Sequence, residues 1–162
     1  MAMTRRRLLV LGTQLSGGLV AAFLGVPIVG WALRPLFDTR RDVWRSIGRL
    51  GDLPVEQPVA MRVGFPPQPQ SWSSHEDQWV VYVVRYRDGS IRTFSNICTH
   101  MQCGVRWQAS IGQFLCPCHG GLYAITGANV GGPPPRPLPR WVHRIEPDGT
   151  VMLKNQLDED LP

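Results

Sequence analysis

Two short stretches of this sequence gather the residue types that bind metals. One is Cys98-Thr99-His100-Met101-Gln102-Cys103, the other Cys116-Pro117-Cys118-His119-Gly120-Gly121, with fifteen residues between His100 and Cys116. Two cysteines and two histidines at such spacings can bind zinc tetrahedrally or hold a binuclear iron–sulfur cluster. Zinc fingers pair a C-x₂₋₄-C arm with an H-x₃₋₅-H arm, so each arm supplies one kind of ligand. Here each box supplies one Cys and one His. That suits a cluster in which one iron takes two thiolates and the other two imidazoles, with structural zinc as the alternative. The candidate ligands are Cys98, His100, Cys116 and His119. Cys103 and Cys118 are left over, one per box. If both loops meet at one cluster, these two face each other and could form a disulfide, a bond that belongs in an oxidising compartment.

The N-terminal fifth fits such a compartment. Thr4-Arg5-Arg6-Arg7-Leu8-Leu9 matches the pattern of a twin-arginine export signal, which a receptor reads. The competing reading is a positive-inside flank for a membrane helix. No ionisable side chain occurs from Leu8 to Leu33, a run of 26 residues. As a helix it would span about 39 Å, against a hydrocarbon core of about 30 Å. It exceeds a cleaved signal's apolar core and ends Gly30-Trp31-Ala32-Leu33 without a clear Ala-x-Ala site, so an uncleaved anchor is expected. The layout expected from sequence is therefore 1–7 as signal region, 8–33 as anchor, 34–49 as linker and hinge, 50–157 as head, and 158–162 as an acidic tail. Removing Arg5, Arg6 and Arg7 from the 17 basic residues leaves 14 against 12 acidic ones. The formal charge of +5 is thus largely a matter of topology, and no basic run interleaved with aromatics suggests nucleic-acid binding.

The head must position the two boxes with strands. Pro58–Val63 and Trp79–Tyr86 are rich in β-branched and aromatic residues. Asp88-Gly89 turns the second of these into Ser90–Phe94, and Asp148-Gly149 joins Val142–Ile145 to Val151–Leu153. Gly64–Gln78 reads as a surface loop. No long amphipathic helix follows residue 50. The expectation is a mainly β chain, an antiparallel β-sandwich head with cluster-binding loops, plus one N-terminal transmembrane helix. His75 and His143 read as a solvated and a structural histidine.

At the two boxes the sequence resembles the Rieske iron–sulfur family, specifically the membrane-anchored subunit of bacterial cytochrome bc-type quinol-oxidising complexes. The first box is similar to C-T-H-L-G-C and the second to C-P-C-H-G-S. Gly131-Gly132-Pro133-Pro134-Pro135 resembles the family's cluster-covering proline loop. The likeness runs from about Trp44 to Leu153 and includes the anchor plan. It implies one [2Fe–2S] cluster, with Cys98 and Cys116 on one iron, His100 and His119 on the other, and Cys103–Cys118 as a disulfide. It further implies that Met101, Gly132, Pro133 and Pro134 cover the cluster. His100 or His119 would take a proton as the cluster takes an electron from quinol in a cytochrome b subunit, and a c-type cytochrome would accept that electron. The setting implied is the bacterial cytoplasmic membrane, with the N-terminus inside and the head outside.

Two departures bear on tuning. Gly121 stands where many members carry a serine whose hydroxyl donates to a bridging sulfur, whereas Tyr123 keeps the tyrosine that donates to a cysteine sulfur. Hydrogen bonds to sulfur stabilise the more negative reduced state, so losing one lowers the potential. A low-potential quinol such as menaquinol is the expected donor, and Gly121→Ser is expected to raise the potential. The second departure is Met101-Gln102 in place of Leu-Gly. The alternative function is the Rieske small subunit of another exported oxidoreductase, such as arsenite oxidase, relaying electrons from a molybdenum subunit. A soluble dioxygenase ferredoxin would lack the anchor.

Overall fold

The computed structural model describes residues 4–37, 41–68 and 74–158. The chain divides into two units, with the boundary between Arg40 and Arg41. The first is helix α1, Arg5–Leu33, followed by a short 3-10 turn at Arg34–Leu36. At 29 residues the helix is about 43 Å long. None of its side chains is buried, and it is long and apolar enough to cross a membrane. It takes in Arg5, Arg6 and Arg7, so the helix begins before the apolar run does.

Among the described residues, the second unit is built from ten antiparallel strands. They are β1 (Trp44–Arg49), β2 (Val59–Phe65), β3 (Asp77–Arg85), β4 (Ile91–Ser95), β5 (Arg106–Gln108), β6 (Gln113–Cys116), β7 (Gly121–Ala124), β8 (Asn129–Gly131), β9 (Arg140–Ile145) and β10 (Thr150–Asp158). Six form one sheet in the order β1-β10-β9-β4-β3-β2, and β5-β6-β7-β8 form a second, smaller sheet. Both Asp-Gly turns are hairpins. Asp88 accepts from the Ser90 amide and hydroxyl, and Asp148 from those of Thr150. These hydrogen bonds hold both carboxyls below the usual aspartate range. Gly89 and Gly149 take the positive φ that each turn requires.

Strand β3 explains why its sequence is a continuous apolar run. Val81 and Val83 face a core with Val63, Phe65, Trp141 and Leu153. Tyr82 and Val84 face the other way, into a core with Phe94, Phe114, Tyr123 and Leu138. A strand buried on both faces loses the polar alternation of a half-exposed one. The second core lies between the sheets and includes Cys98 and Cys116, so it is the floor on which the two boxes rest.

Several expected boundaries move. Residues 44–49, expected in the linker, form β1 and pair with β10. Gly48, the linker's one glycine, has φ +122° at a register shift between Ser46 and Arg49, which makes it a bulge in the sheet. Arg41–Val43 is also tied to the head. Asn155 Oδ1 accepts from Val43 N at 2.9 Å, Asn155 Nδ2 donates to Arg41 O at 2.9 Å, and Lys154 pairs with Asp42 at 2.9 Å. Asp158, expected in the tail, is the last residue of β10, and 159–162 lie outside the described residues. The expected loop 64–78 gives its ends to β2 and β3, while 69–73 lie outside the described residues.

Candidate metal centre

Each box is a loop closed by its own backbone. Ile97 bridges to Gly104, Cys98 N donates to Cys103 O at 2.8 Å, and Gln102 N donates to Cys98 O at 3.0 Å. Gln102 adopts φ +60°, a left-handed conformation in which a residue with a Cβ is strained. The second box is the β6–β7 hairpin. Cys116 pairs with Gly121, Gly120 N donates to Cys116 O at 3.1 Å, and Gly120 makes the turn with φ +69°. Strand alternation places the side chains. Phe114 and Tyr123 face each other across β6 and β7 and point into the core. Cys116, two residues beyond Phe114, points the same way. His119 and Cys118 lie at the exposed hairpin tip.

The fold thereby separates the candidate ligands into two layers. Cys98 and Cys116 are 1% and 2% exposed, and each is a hydrogen-bond neighbour of the other. His100 and His119 are exposed, their rings edge to face with centroids 4.8 Å apart. Met101 is 66% exposed beside them. A disulfide joins Cys103 to Cys118 and clamps one loop to the other. The sulfurs of Cys103, Cys116 and Cys118 lie within 4.8 Å of one another, yet two of them are bonded together and cannot serve as thiolate ligands.

Tyr123, fully buried, organises the sulfur side. Its hydroxyl lies 3.2 Å from Cys98 Sγ and accepts from Thr99 N at 3.1 Å. Thr99 Oγ1 is also 3.2 Å away, but its one hydrogen goes to Arg136 O at 2.8 Å. Thr99 Oγ1 therefore faces the phenol only as an acceptor, and Cys98, when a thiolate, is the charged and stronger of the two acceptors for the tyrosine hydrogen. Burial, with Cys98 adding to it, raises the phenol's pKa, so it stays a donor. Burial alone would raise the Cys98 thiol, but the Tyr123 hydroxyl and the amides of His100 and Met101 outweigh it and lower the thiol's pKa. Burial and the neighbouring Cys98 raise that of Cys116 against the amides of Cys118 and His119, which lower it. The donor set fits the group inferred from sequence: two buried sulfurs, one held towards thiolate by aimed donors, beneath two solvent-facing imidazoles. Zinc alone would not call for sulfur and nitrogen donors sorted into layers of opposite exposure.

The proline loop closes over the second box. Gly132 has φ +81°, and a Cβ there would lie 2.8 Å from Gly120 O. Asn129 Nδ2 donates to Pro134 O at 3.0 Å. Pro134 is buried, while Pro133 and Pro135 are exposed. At Gly121 a Cβ would lie 2.6 Å from Pro134 Cγ, so a side chain there would need the proline ring to shift. Thr99, Asn129 and the Arg136 carbonyl were not singled out from sequence, and no local pattern marks them, because their roles arise from loops meeting in space. His143 lies on β9 beside Thr93, apart from the boxes.

Comparison with known proteins agrees with this geometry. The Rieske [2Fe-2S] domain profile matches residues 44–142. The menaquinol:cytochrome c reductase iron-sulfur subunit of Geobacillus thermodenitrificans is 30% identical over 155 residues, covering 93% of this chain and 90% of that protein. The subunit of the same name from Bacillus subtilis (strain 168) is 32% identical over 143 residues, covering 85% and 83%. Among solved structures, the cyanobacterial plasma membrane Rieske protein PetC3 from Synechocystis PCC 6803 superimposes with a TM-score of 0.50 at 27% identity, covering 67% of this chain and 97% of that one.

Proposed function

This chain belongs to the Rieske [2Fe–2S] family, and we propose that it is the electron-accepting iron–sulfur subunit of a quinol–cytochrome c reductase. The observation that carries the reading is the layering of the site, with Cys98 and Cys116 buried on the core and His100 and His119 exposed beside Met101. Cys98, His100, Cys116 and His119 would hold the cluster, which supplies a one-electron acceptor when bound. The chain's residues do the rest. An exposed imidazole of His100 or His119 accepts a hydrogen bond, and then a proton, from the quinol hydroxyl. Met101 and the proline loop exclude water around that contact. Tyr123 donates to the Cys98 sulfur and so favours the reduced charge state.

The partners would be a cytochrome b-type membrane subunit and a c-type cytochrome. Menaquinol is the proposed donor, supported by the names of the two bacterial relatives and by the lack of a hydroxyl at position 121. Helix α1 would anchor the chain by a single pass, with Arg5, Arg6 and Arg7 as a twin-arginine signal on the cytoplasmic side and the head outside. Because Arg41–Val43 and β1 are tied to the head, any hinge falls before Arg41 rather than across 34–49.

The test is a redox titration, followed by electron spin resonance, of the full-length chain in membranes over a range of pH. A paramagnetic signal on reduction, with a potential that falls as pH rises through the oxidised-state histidine ionisation, is expected. No such signal in the reduced chain would overturn the reading. Co-purification with a molybdenum subunit instead of cytochrome b would favour the relay function.

A further inference from the structure

The second box and the proline loop meet where side chains are missing. A Cβ on Gly121 would fall 2.6 Å from Pro134 Cγ, 3.0 Å from Pro134 Cδ and 3.5 Å from Cys116 Cβ. A Cβ on Gly132 would fall 2.8 Å from Gly120 O and 2.9 Å from Gly121 Cα. The loop backbone therefore lies directly on the hairpin backbone, with the buried ring of Pro134 seated over Gly121 and beside Cys116. Three hydrogen bonds hold it there. Asn129 Nδ2 donates to Pro134 O at 3.0 Å, Thr99 Oγ1 to Arg136 O at 2.8 Å, and Leu138 N to Gly127 O at 2.8 Å.

We propose that Pro134 sets the polarity on the Cys116 side of the centre, its ring filling the space that a side chain at position 121 would need and so barring a side-chain hydroxyl from the bridging sulfur on that side. The two cysteine sides then differ in side-chain donors: the Tyr123 hydroxyl lies 3.2 Å from Cys98 Sγ, whereas Cys116 has only the backbone amides of Cys118 and His119, with an aliphatic ring where a side-chain donor would stand. Positions 121 and 134 act as one unit, since a side chain at 121 and a seated ring at 134 exclude each other. Gly121 alone does not define the tuning. A serine placed there collides with the ring before it can donate, and it acts as a donor only when the ring is removed. The inference rests on Cys116 being a cluster ligand.

The test uses the full-length chain, purified with its cluster, as wild type, G121S, P134A and G121S/P134A. Reduction potentials are read by spin-resonance titration, and loop closure by hydrogen exchange at the Gly132, Arg136 and Leu138 amides. Adding the G121S substitution in the P134A background should shift the reduced-to-oxidised ratio about tenfold towards reduced, about 59 mV for one electron. The same serine added to the wild type should shift it less than about threefold while speeding exchange in the loop. If G121S loses its cluster and G121S/P134A retains it, the same exclusion is shown by rescue. An equal rise in potential with and without the ring, or no rise in G121S/P134A, overturns the proposal. A wild-type chain without the reduced-state spectrum overturns the ligand assignment itself, and the proposal falls with it.

Discussion

Replacing Tyr123 with Phe should lower the reduction potential, and the structure bounds the size of the change. The substitution removes one oxygen from a fully buried ring and leaves the packing against Phe114 and Phe94 in place. The oxygen lost lies 3.2 Å from Cys98 Sγ, itself 1% exposed, so water does not replace the donor. A hydrogen bond to a charged acceptor contributes about 1.5–3 kcal/mol. Because the sulfur is a thiolate in both redox states, only the part that grows with the added electron counts. Taking that part as about 1 kcal/mol gives a roughly fivefold shift in the redox equilibrium, or about 40 mV downward for one electron. A second effect accompanies it. Thr99 N loses the acceptor it reaches at 3.1 Å, which costs about 1 kcal/mol at a half-buried position. Spin-resonance titration of the full-length chain measures the first effect, and the rate of thermal bleaching of the cluster measures the second. A potential equal to or above that of the wild type would refute the reasoning, because it would mean that the tyrosine hydrogen is not directed at Cys98.

Other substitutions test separate parts of the site and head. Cys103→Ser or Cys118→Ser should loosen the clamp across a separation of 15 residues, with a loss of about 3 kcal/mol and faster bleaching of the cluster's visible absorption. Gln102→Gly should slow thermal unfolding by relieving the left-handed strain at φ +60°, by about 1 kcal/mol. Asn155→Ala should loosen Arg41–Val43 on β10 by removing the two side-chain hydrogen bonds, seen as faster amide exchange at Val43 with no change in potential. His143 has its pKa lowered from 6.5 by burial, with the Trp141 carbonyl and Asp158 only partly opposing this. Its sign follows from linkage: the unfolded chain takes up the proton first, so stability is full above about pH 6.5 and falls as pH drops towards the lower folded value. Denaturant unfolding of His143→Gln should show a shallower fall over that window, and an unchanged slope would refute the assignment.

The sequence alone determined the chemistry of the centre and the outline of the chain. Cys98, His100, Cys116 and His119 are legible as candidate ligands because ligand spacing within a short loop is local information. The anchor is legible because 26 residues without charge have few other uses, and the hairpins at Asp88-Gly89 and Asp148-Gly149 because a tight turn is specified by its own two residues. Only the tertiary structure decided what these parts touch. Strands β5–β8 have three or four residues each, too few for a period to emerge, and they exist because hairpin pairing and the Phe114–Tyr123 core hold them. Residues 44–49 look like a polar linker because β1 buries little, and they become a strand only through pairing with β10. Gly121 shows the division most clearly. In the sequence it is a missing hydroxyl, whereas in the fold it is the seat of Pro134, which arrives from a separate loop. Sequence spacing reports which groups can react, but which group fills the space beside them is set by loops distant in the chain closing on one core.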